Sequence, residues 1–538
     1  MSIITVEPGL VRLSTGPGES LLEAIRRNGD LHFETPCNGN GSCGKCRVIV
    51  KKGNLSLPSD AEKNLLGEEE LKKNVRLACF AKCVGSDDEI VISFPEKKGR
   101  DIVLGGLHLD GTVKEPLFPN SDYRRYAIAV DIGTTTVVCA LIDTKKGTEA
   151  AEASAINPQT TIGGDVLSRI AYTINHKEGL SKLQSLILGC LNDLTLKLTE
   201  EASIQEDQIA GYAVAANCTM LHLLLGVDPS SLAAVPFTPV FTAGQHRSAK
   251  EAGLIHCGGE AELYCLPSVS AYIGADIVAG VHMCDLIHAK KNVMFIDIGT
   301  NGEMVFSKHG KMWGCSCAAG PAMEGMNITC GMRAAEGAIE RVSFRNGAFD
   351  VKTIGGKKPE GICGSGVLET VASLLASGGV EPSGKLCGNN EELRPFYYQE
   401  GKSKGFVLYG KDPEIRFSQA DVRQIQLAKG ALLSGFLTLV KSAGLTLDEV
   451  DEVIIAGQFG SYLKEDTLID IGILPGEMRG KVHYIGNTSL SGAASVLLDK
   501  ALSDDYEKLA GKVTYTELGS EEGYAKLFMK CLNFPEES

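Results

Sequence analysis

Short runs in which apolar and polar residues alternate, at residues 2–6 and 10–13, predict two strands at the start of the chain. Ser20 followed by Glu23 makes a capping box for a helix over Leu21, Leu22 and Ile25. Strand character returns at residues 47–52, Ser59 with Glu62 predicts a second short helix, and residues 90–94 close a small α+β sheet unit. Residues 95–125 are charged, punctuated by Gly and Pro, and read as a linker. Beyond it, strands and helices alternate, the pattern of α/β layers. An apolar strand from residue 126 ends in DIGTTT and is followed by another at 137–143; a strand from 293 ends in DIGTNG and is followed by one at 303–307. The repeated turn predicts an internal duplication. Helical faces follow in each half: Leu183, Leu186, Ile187, Cys190, Leu191 and Leu194 in the first, and Val422, Ile425, Ala428, Leu432 and Phe436 after the cap pair Ser418 and Asp421 in the second. The expected boundaries are 1–96 for the small unit, 97–125 for the linker, and 126–290 and 291–538 for the two halves.

Composition narrows the function classes. The chain has 538 residues, 43% of them hydrophobic, enough for several cores. Its net charge of −14 leaves no basic stripe for phosphate backbones, so a general nucleic-acid binder is not expected. The first 98 residues carry 14 acidic and 14 basic side chains, which places the acidic excess in the remainder. Seventeen cysteines scattered through a long chain fit a reduced compartment better than a disulfide framework. The start, MSIITVEPG, has no basic or apolar signal region, and the apolar stretch 264–284 contains Pro267 and Asp276 and suits a buried strand and helix better than a membrane span. A cytoplasmic protein without membrane attachment is expected.

Four cysteines carry the first chemistry. Cys37, Cys43 and Cys46 lie in CNGNGSCGKC, and Cys79 closes RLAC. Three thiolates from one tight loop and one from a distant segment can wrap a 2Fe-2S cluster. Gly39, Gly41 and Gly44 allow the backbone to turn its N–H groups toward sulfur. Zinc is the alternative, but zinc ribbons favour two CxxC pairs and only one is present. Cys83 is a second choice for the fourth ligand. The RLAC segment resembles plant- and vertebrate-type ferredoxins, which favours Cys79 and implies a β-grasp type fold.

The two DIGT turns carry the second. A strand ending in Asp-x-Gly-Thr turns amides and hydroxyls into the space beyond the sheet edge, where they can hold phosphate oxygens, and the aspartate can hold Mg²⁺ through water. One such turn is an ordinary hairpin signal; two, one per half of a duplication, are specific. A third segment, VIIAGQFG at 453–460, is an apolar strand running into a Gly-flanked turn. With it the chain resembles the actin, sugar-kinase and heat-shock-chaperone ATPase superfamily, whose two ribonuclease-H-like halves clamp ATP. By that resemblance Asp131 with Gly133, Thr134 and Thr135 match the first phosphate turn. Asp297 with Gly299, Thr300, Asn301 and Gly302 match the second, and Gly457 with Gly460 match the adenosine motif. Gln458 stands where that motif has a second adjacent glycine. The resemblance implies catalytic roles for Asp131 and Asp297. In GICGSG, Gly364 and Ser365 add backbone donors at a helix N-terminus, with close helix packing as the alternative. Asp165 and Asp276 are candidates for positioning the attacking water, and Asp165 equally suits a helix cap. Cys315, Cys317 and Cys330 read as small buried residues rather than a metal site, His222 as a core histidine and Trp313 as packing.

An iron-sulfur unit joined to an ATP clamp is an uncommon pairing. Together with INPQTTIGGDVLSRI, ANCTMLHLLLG, GTNGEMV, CAAGPAMEG, GICGSGVLE and IQLAKGA, it resembles the reductive activators of corrinoid proteins, including the activating enzymes of O-demethylases. The resemblance implies an enzyme that uses ATP to return a Co(II) corrinoid protein to Co(I). It also implies an upstream low-potential reductant and allows a homodimer through the ATPase domain. Two other functions stay open at this point: activation of a different low-potential metalloenzyme, and a redox sensor in which the cluster switches a nucleotide-binding module.

Overall fold

The computed structural model describes residues 2–7, 11–16, 18–27, 41, 46–84, 89–93, 109, 111–119, 121–410, 414–457 and 463–536. Chain proximity groups Met1–Asp101 with Pro158–Tyr172 in one unit, and Ile102–Asn157 with Thr173–Ser538 in a second.

The first unit is built on five strands: β1 (Ser2–Glu7), β2 (Val11–Thr15), β3 (Arg47–Lys52), β4 (Val75–Leu77) and β5 (Glu89–Ser93), in the order β2-β1-β5-β3-β4. The two outer segments meet through a parallel pairing of β1 with β5. Ile4, Val6, Ile90, Ile92 and Val48 turn inward against Leu21, Leu22 and Ile25 of the helix Leu21–Arg27. The Ser20–Glu23 capping box forms in full. Ser59 does cap the helix Asp60–Lys72, accepting from Glu62 N at 3.1 Å, but the Glu62 side chain does not complete a box. It is drawn inward to a bidentate pair with Arg76, at 2.8 and 2.9 Å, and to Leu77 N at 2.8 Å. A buried carboxylate needs several donors, and β4 supplies three. The short β4 escaped the periodicity because three residues are too few to show alternation.

In the second unit, β6 (Tyr126–Ile132), β7 (Thr136–Asp143), β8 (Thr148–Ile156), β9 (Ile209–Ala216), β10 (Gln245–Ser248) and β11 (Glu262–Cys265) form one six-stranded sheet, ordered β10-β11-β9-β6-β7-β8. The other begins with β12 (Asn292–Ile298), β13 (Gly302–Lys308) and β14 (Lys311–Cys317). Two three-stranded sheets follow, from β15 (Ala338–Arg345), β16 (Ala348–Thr353) and β17 (Gly361–Ile362), and from β18 (Tyr397–Glu400), β19 (Ser403–Tyr409) and β20 (Ile415–Ser418). Then β21 (Glu452–Ala456), β22 (Val482–Tyr484) and β23 (Val513–Tyr515) complete the second six-stranded sheet, ordered β22-β21-β12-β13-β14-β23. The duplication is explicit in the pairing. In each sheet an antiparallel triplet, β6-β7-β8 or β12-β13-β14, has its first strand beside a parallel strand, β9 or β21.

The predicted helical faces pack as expected. Leu183, Ile187, Leu191 and Leu194 are buried on Gly179–Ala202, with Leu186 and Cys190 half-buried at its edge. Val422, Ile425, Ala428, Leu432 and Phe436 are all buried on Gln419–Ser442, which starts at the Ser418–Asp421 box. Cys315 and Cys317 lie beneath this helix at Gly435, whose added Cβ would stand 2.3 Å from Cys317 Sγ. They are core residues, and His222 is likewise fully buried, held by Cys218 O and Val240 N.

Two segments pack beyond the stretch of chain they belong to. The second half does not keep to itself after residue 290: helix Thr488–Leu498 packs on β6, β9 and the helix Ala275–Met283 of the first sheet, before β23 returns to the second. The later part of the expected linker is also pinned. Lys114 N and Leu117 N donate to Leu498 O and Leu497 O, and Phe118 is buried against Gly211.

Candidate nucleotide cleft and iron-sulfur site

Of the four cluster cysteines, Cys46 and Cys79 are described, while Cys37 and Cys43 lie outside the described residues. Their Sγ atoms are 3.2 Å apart, well beyond a disulfide bond. Two thiolates at this distance repel unless a soft cation lies between them, so the pair fits ligation of one iron. Arg76 and Leu77, held by Glu62, set the approach to Cys79. Gly41 sits at φ +70°, where an added Cβ would fall 2.4 Å from the Phe80 ring, so the loop passes closely over the residue after Cys79. Gly39 and Gly44 lie outside the described residues. Cys83 is committed elsewhere: it is buried, Thr15 Oγ1 donates to its sulfur at 3.4 Å, and burial pushes its thiol above the ordinary range. It is a neutral core thiol, which leaves Cys79 as the fourth ligand candidate.

In the second unit each phosphate turn closes on itself. Gly133 N donates to Thr136 O and Gly299 N to Asn301 O, both at 2.9 Å. At Gly133 an added Cβ would stand 2.8 Å from Thr136 O, so the tight turn excludes a side chain. Asn157, fully buried, braces the first turn from beneath through Nδ2 to Gly133 O and N to Thr135 O, both at 2.9 Å. Thr134 Oγ1 accepts from Asn217 Nδ2 at 3.3 Å, and Thr300 Oγ1 donates to Glu324 Oε1 at 2.9 Å. Gly302 is buried against Leu432, where it begins β13.

The aspartates at the two strand ends share one pocket of field. Both residues are half-buried. Burial pushes Asp131 up to about 7, opposed by a hydrogen bond from Asn487 and reinforced by Asp297. Asp297 is pushed by burial to about 6, and Asp276 to about 7, with Asp297 and then Asp131 adding repulsion. Glu303, opposite Asp297 in the β12–β13 register, is held well above the ordinary carboxylate range by burial and by Asp276 and Asp297. Gly457, at φ +89°, stands against Asp297: its added Cβ would be 2.7 Å from Asp297 Oδ1. The third motif therefore meets the second turn because β21 runs parallel to β12, with Ala456 beside Asp297. Gln458 and Gly460 lie outside the described residues.

The remaining candidates divide. Asp276 joins the cluster, at the start of helix Ala275–Met283. Asp165 belongs to the first unit and caps a helix, accepting from Ser168 N at 2.8 Å. In the GICGSG turn, Gly364 opens the helix Gly364–Ala376 and the Ser365 hydroxyl lies 3.4 Å from Cys363 Sγ. Gly366 is there for close packing, because its added Cβ would fall 2.1 Å from Ile339 O. Asn487, Asn217, Glu303 and Glu324 were missed. A pair such as Asn487 and Asp131 leaves no local spacing to read, although Asn487 before Thr-Ser at the start of helix Thr488–Leu498 is an N-cap signal.

Among the described residues no three His, Cys, Asp or Glu side chains gather as direct ligands of one metal ion. What the cleft offers is a set of crowded carboxylates opposed by few donors, beside amides and hydroxyls suited to oxygen anions. That combination is chemically suited to a hydrated divalent cation accompanying a phosphate chain. No described helix is long and apolar enough to cross a membrane.

Residues 4–84 match the family model "2Fe-2S iron-sulfur cluster binding domain", 126–289 match "RACo middle region", and 291–538 match "C-terminal domain of RACo the ASKHA domain". The chain is 33% identical over 414 residues to the corrinoid activation enzyme RamQ of Eubacterium limosum, covering 75% of this chain and 69% of that one. It is 25% identical over 423 residues to the [Co(II) methylated amine-specific corrinoid protein] reductase of Methanosarcina barkeri, covering 73% and 74%. A solved structure titled "Reductive activator for corrinoid,iron-sulfur protein" superposes with a TM-score of 0.72 at 29% identity, covering 99% of this chain and 98% of that one. With a ferredoxin-type domain joined to a duplicated actin-like fold, the chain belongs to the reductive activators of corrinoid proteins and is an enzyme of that family.

Proposed function

We propose that this enzyme returns the Co(II) corrinoid protein of a methyltransferase or O-demethylase system to Co(I), taking one electron at a time from an upstream low-potential reductant and using ATP to complete the transfer. The observation that carries the ATP requirement is the meeting of Asp131, Asp276 and Asp297 at the ends of two duplicated strands, beside two turns of phosphate-binding type. Asp131 and Asp297 hold hydrated Mg²⁺, while Gly133, Thr134 and Thr135 on one side and Gly299, Thr300, Asn301 and Gly302 on the other take phosphate oxygens. Gly457 and Gly460 border the base, and Gly364 and Ser365 supply further amides at a helix start. Asp276, half-exposed beside these aspartates, orients a water for attack on the terminal phosphate, whereas the Asp165 carboxylate is engaged in capping its own helix.

When bound by Cys37, Cys43, Cys46 and Cys79, a 2Fe-2S cluster supplies one electron at roughly −400 mV. A corrinoid couple lower than this holds back the transfer about tenfold for every ~59 mV of mismatch. Closure of the two halves on ATP favours a complex in which that mismatch is overcome, and hydrolysis resets it. The setting is the cytoplasm, and two copies pair through the ATPase domain, which sedimentation measures directly.

The test is anaerobic. Cluster-loaded enzyme, a Co(II) corrinoid protein and a reductant are expected to give the Co(I) spectrum with hydrolysable ATP. The same yield of Co(I) without nucleotide would exclude the coupling.

A further inference from the structure

The segment between β14 and β15 contains CAAGPAMEG, which the ATP-clamp reading leaves without a role. It forms a short 3-10 turn, Pro321–Glu324, ended by Gly325 at φ +79°. Gly325 is wedged into the molecule: an added Cβ would lie 2.5 Å from Met332 O and 3.4 Å from Gly364 N. This fixes the preceding residue, Glu324, over the cleft. Its Oε1 accepts from Thr300 Oγ1 at 2.9 Å. Burial raises its carboxyl above the ordinary range, opposed by the Thr300 hydroxyl, by the positive charge of Arg333 from the same segment and by the nearby Thr135 of the first turn.

A carboxylate and a phosphate oxygen make the same demand on a hydroxyl, since both are anionic acceptors. When both are charged they also repel each other, so they compete for the same hydroxyl. We propose that Glu324 is a positioning residue of the ATP step: its carboxyl holds the Thr300 hydroxyl and must release it for the terminal phosphate to bind there. The inference rests on the ATP-clamp reading of the cleft. Its consequence is that Glu324 weakens ATP binding by competing for the second turn until nucleotide displaces it.

The experiment measures the dissociation constants of ATP, of a non-hydrolysable ATP analogue and of ADP for the full-length wild type and for Glu324→Ala and Glu324→Gln, with melting curves as the fold check. Removal of the carboxylate is expected to tighten ATP and analogue binding by about fivefold or more, with a smaller change for ADP. Glu324→Gln, which keeps an acceptor oxygen but removes the charge, is expected to fall between wild type and Ala, and it carries the test should Glu324→Ala not fold. Unchanged or weaker ATP binding in the folded variants overturns the inference, including the case in which turnover alone collapses, which would make Glu324 an orienter of water. Absence of ATP binding to the wild type would instead overturn the ATP-clamp reading itself.

Discussion

Asn487 Nδ2 donates to Asp131 Oδ2 at 2.8 Å, joining residues 356 positions apart. Asn487 is also an N-cap, its Oδ1 accepting from Leu490 N at 2.9 Å, so the amide is held in one orientation by its own helix. That helix packs on the first sheet, which places a donor from late in the chain on the aspartate that ends β6. Asn487→Ala removes both contacts. We expect a loss of about 1–3 kcal/mol in stability and a fall in ATP turnover of roughly tenfold or more, read by phosphate release and melting curves.

Asp131 has a pH signature with a definite sign. Its carboxyl is raised to about 7 in the folded enzyme, above the ordinary carboxylate range, chiefly by burial. The folded state then binds more protons than the unfolded chain, so this group's contribution is fully present below about pH 4 and is lost as pH rises through 7. Asp131→Asn carries no such titration. Its melting temperature relative to wild type should rise steadily from pH 4 to pH 8 in the absence of nucleotide and Mg²⁺, and a flat difference would contradict the burial argument.

The fourth ligand is open to a direct comparison. Cys79→Ser should abolish the 2Fe-2S visible absorption and the reduced-state EPR signal, whereas Cys83→Ser should keep both and lose some stability with the Thr15 contact.

Glu62 supports the approach to Cys79 through Arg76 and Leu77. Replacing it by Gln weakens a buried bidentate pair with Arg76 and leaves one amide hydrogen facing donors. The expected cost is about 3–5 kcal/mol in the first unit. Faster loss of cluster absorbance on warming, with ATP binding unchanged, is the outcome to measure.

Gly457→Ala tests the third motif. Its positive φ and the 2.7 Å approach to Asp297 Oδ1 leave no room for a methyl group, so Asp297 must shift. ATP turnover is expected to fall by tenfold or more, while the cluster spectrum stays as in wild type.

Local pattern made much of this protein legible. The capping box at Ser20, the long amphipathic helices and the paired DIGT turns are each written in neighbouring residues, because helix faces, caps and hairpins obey short fixed spacings. The same holds for the cysteine loop and RLAC. Glu62 shows where local reading stops: Ser59 capped its helix as expected, yet the carboxylate went to Arg76, since a buried charge takes the strongest set of donors within reach.

The sequence by itself determined the two kinds of chemistry, a four-cysteine loop and a duplicated phosphate turn, and the family resemblance that joins them. Only the tertiary structure decided which groups meet at the strand ends. Parallel pairing of β21 with β12 puts Gly457 on Asp297, the crossing helix brings Asn487 to Asp131, and the segment after β14 brings Glu324 to Thr300. These contacts are fixed by sheet order and helix packing, whose partners lie far apart in the chain and share no spacing that a sequence can display.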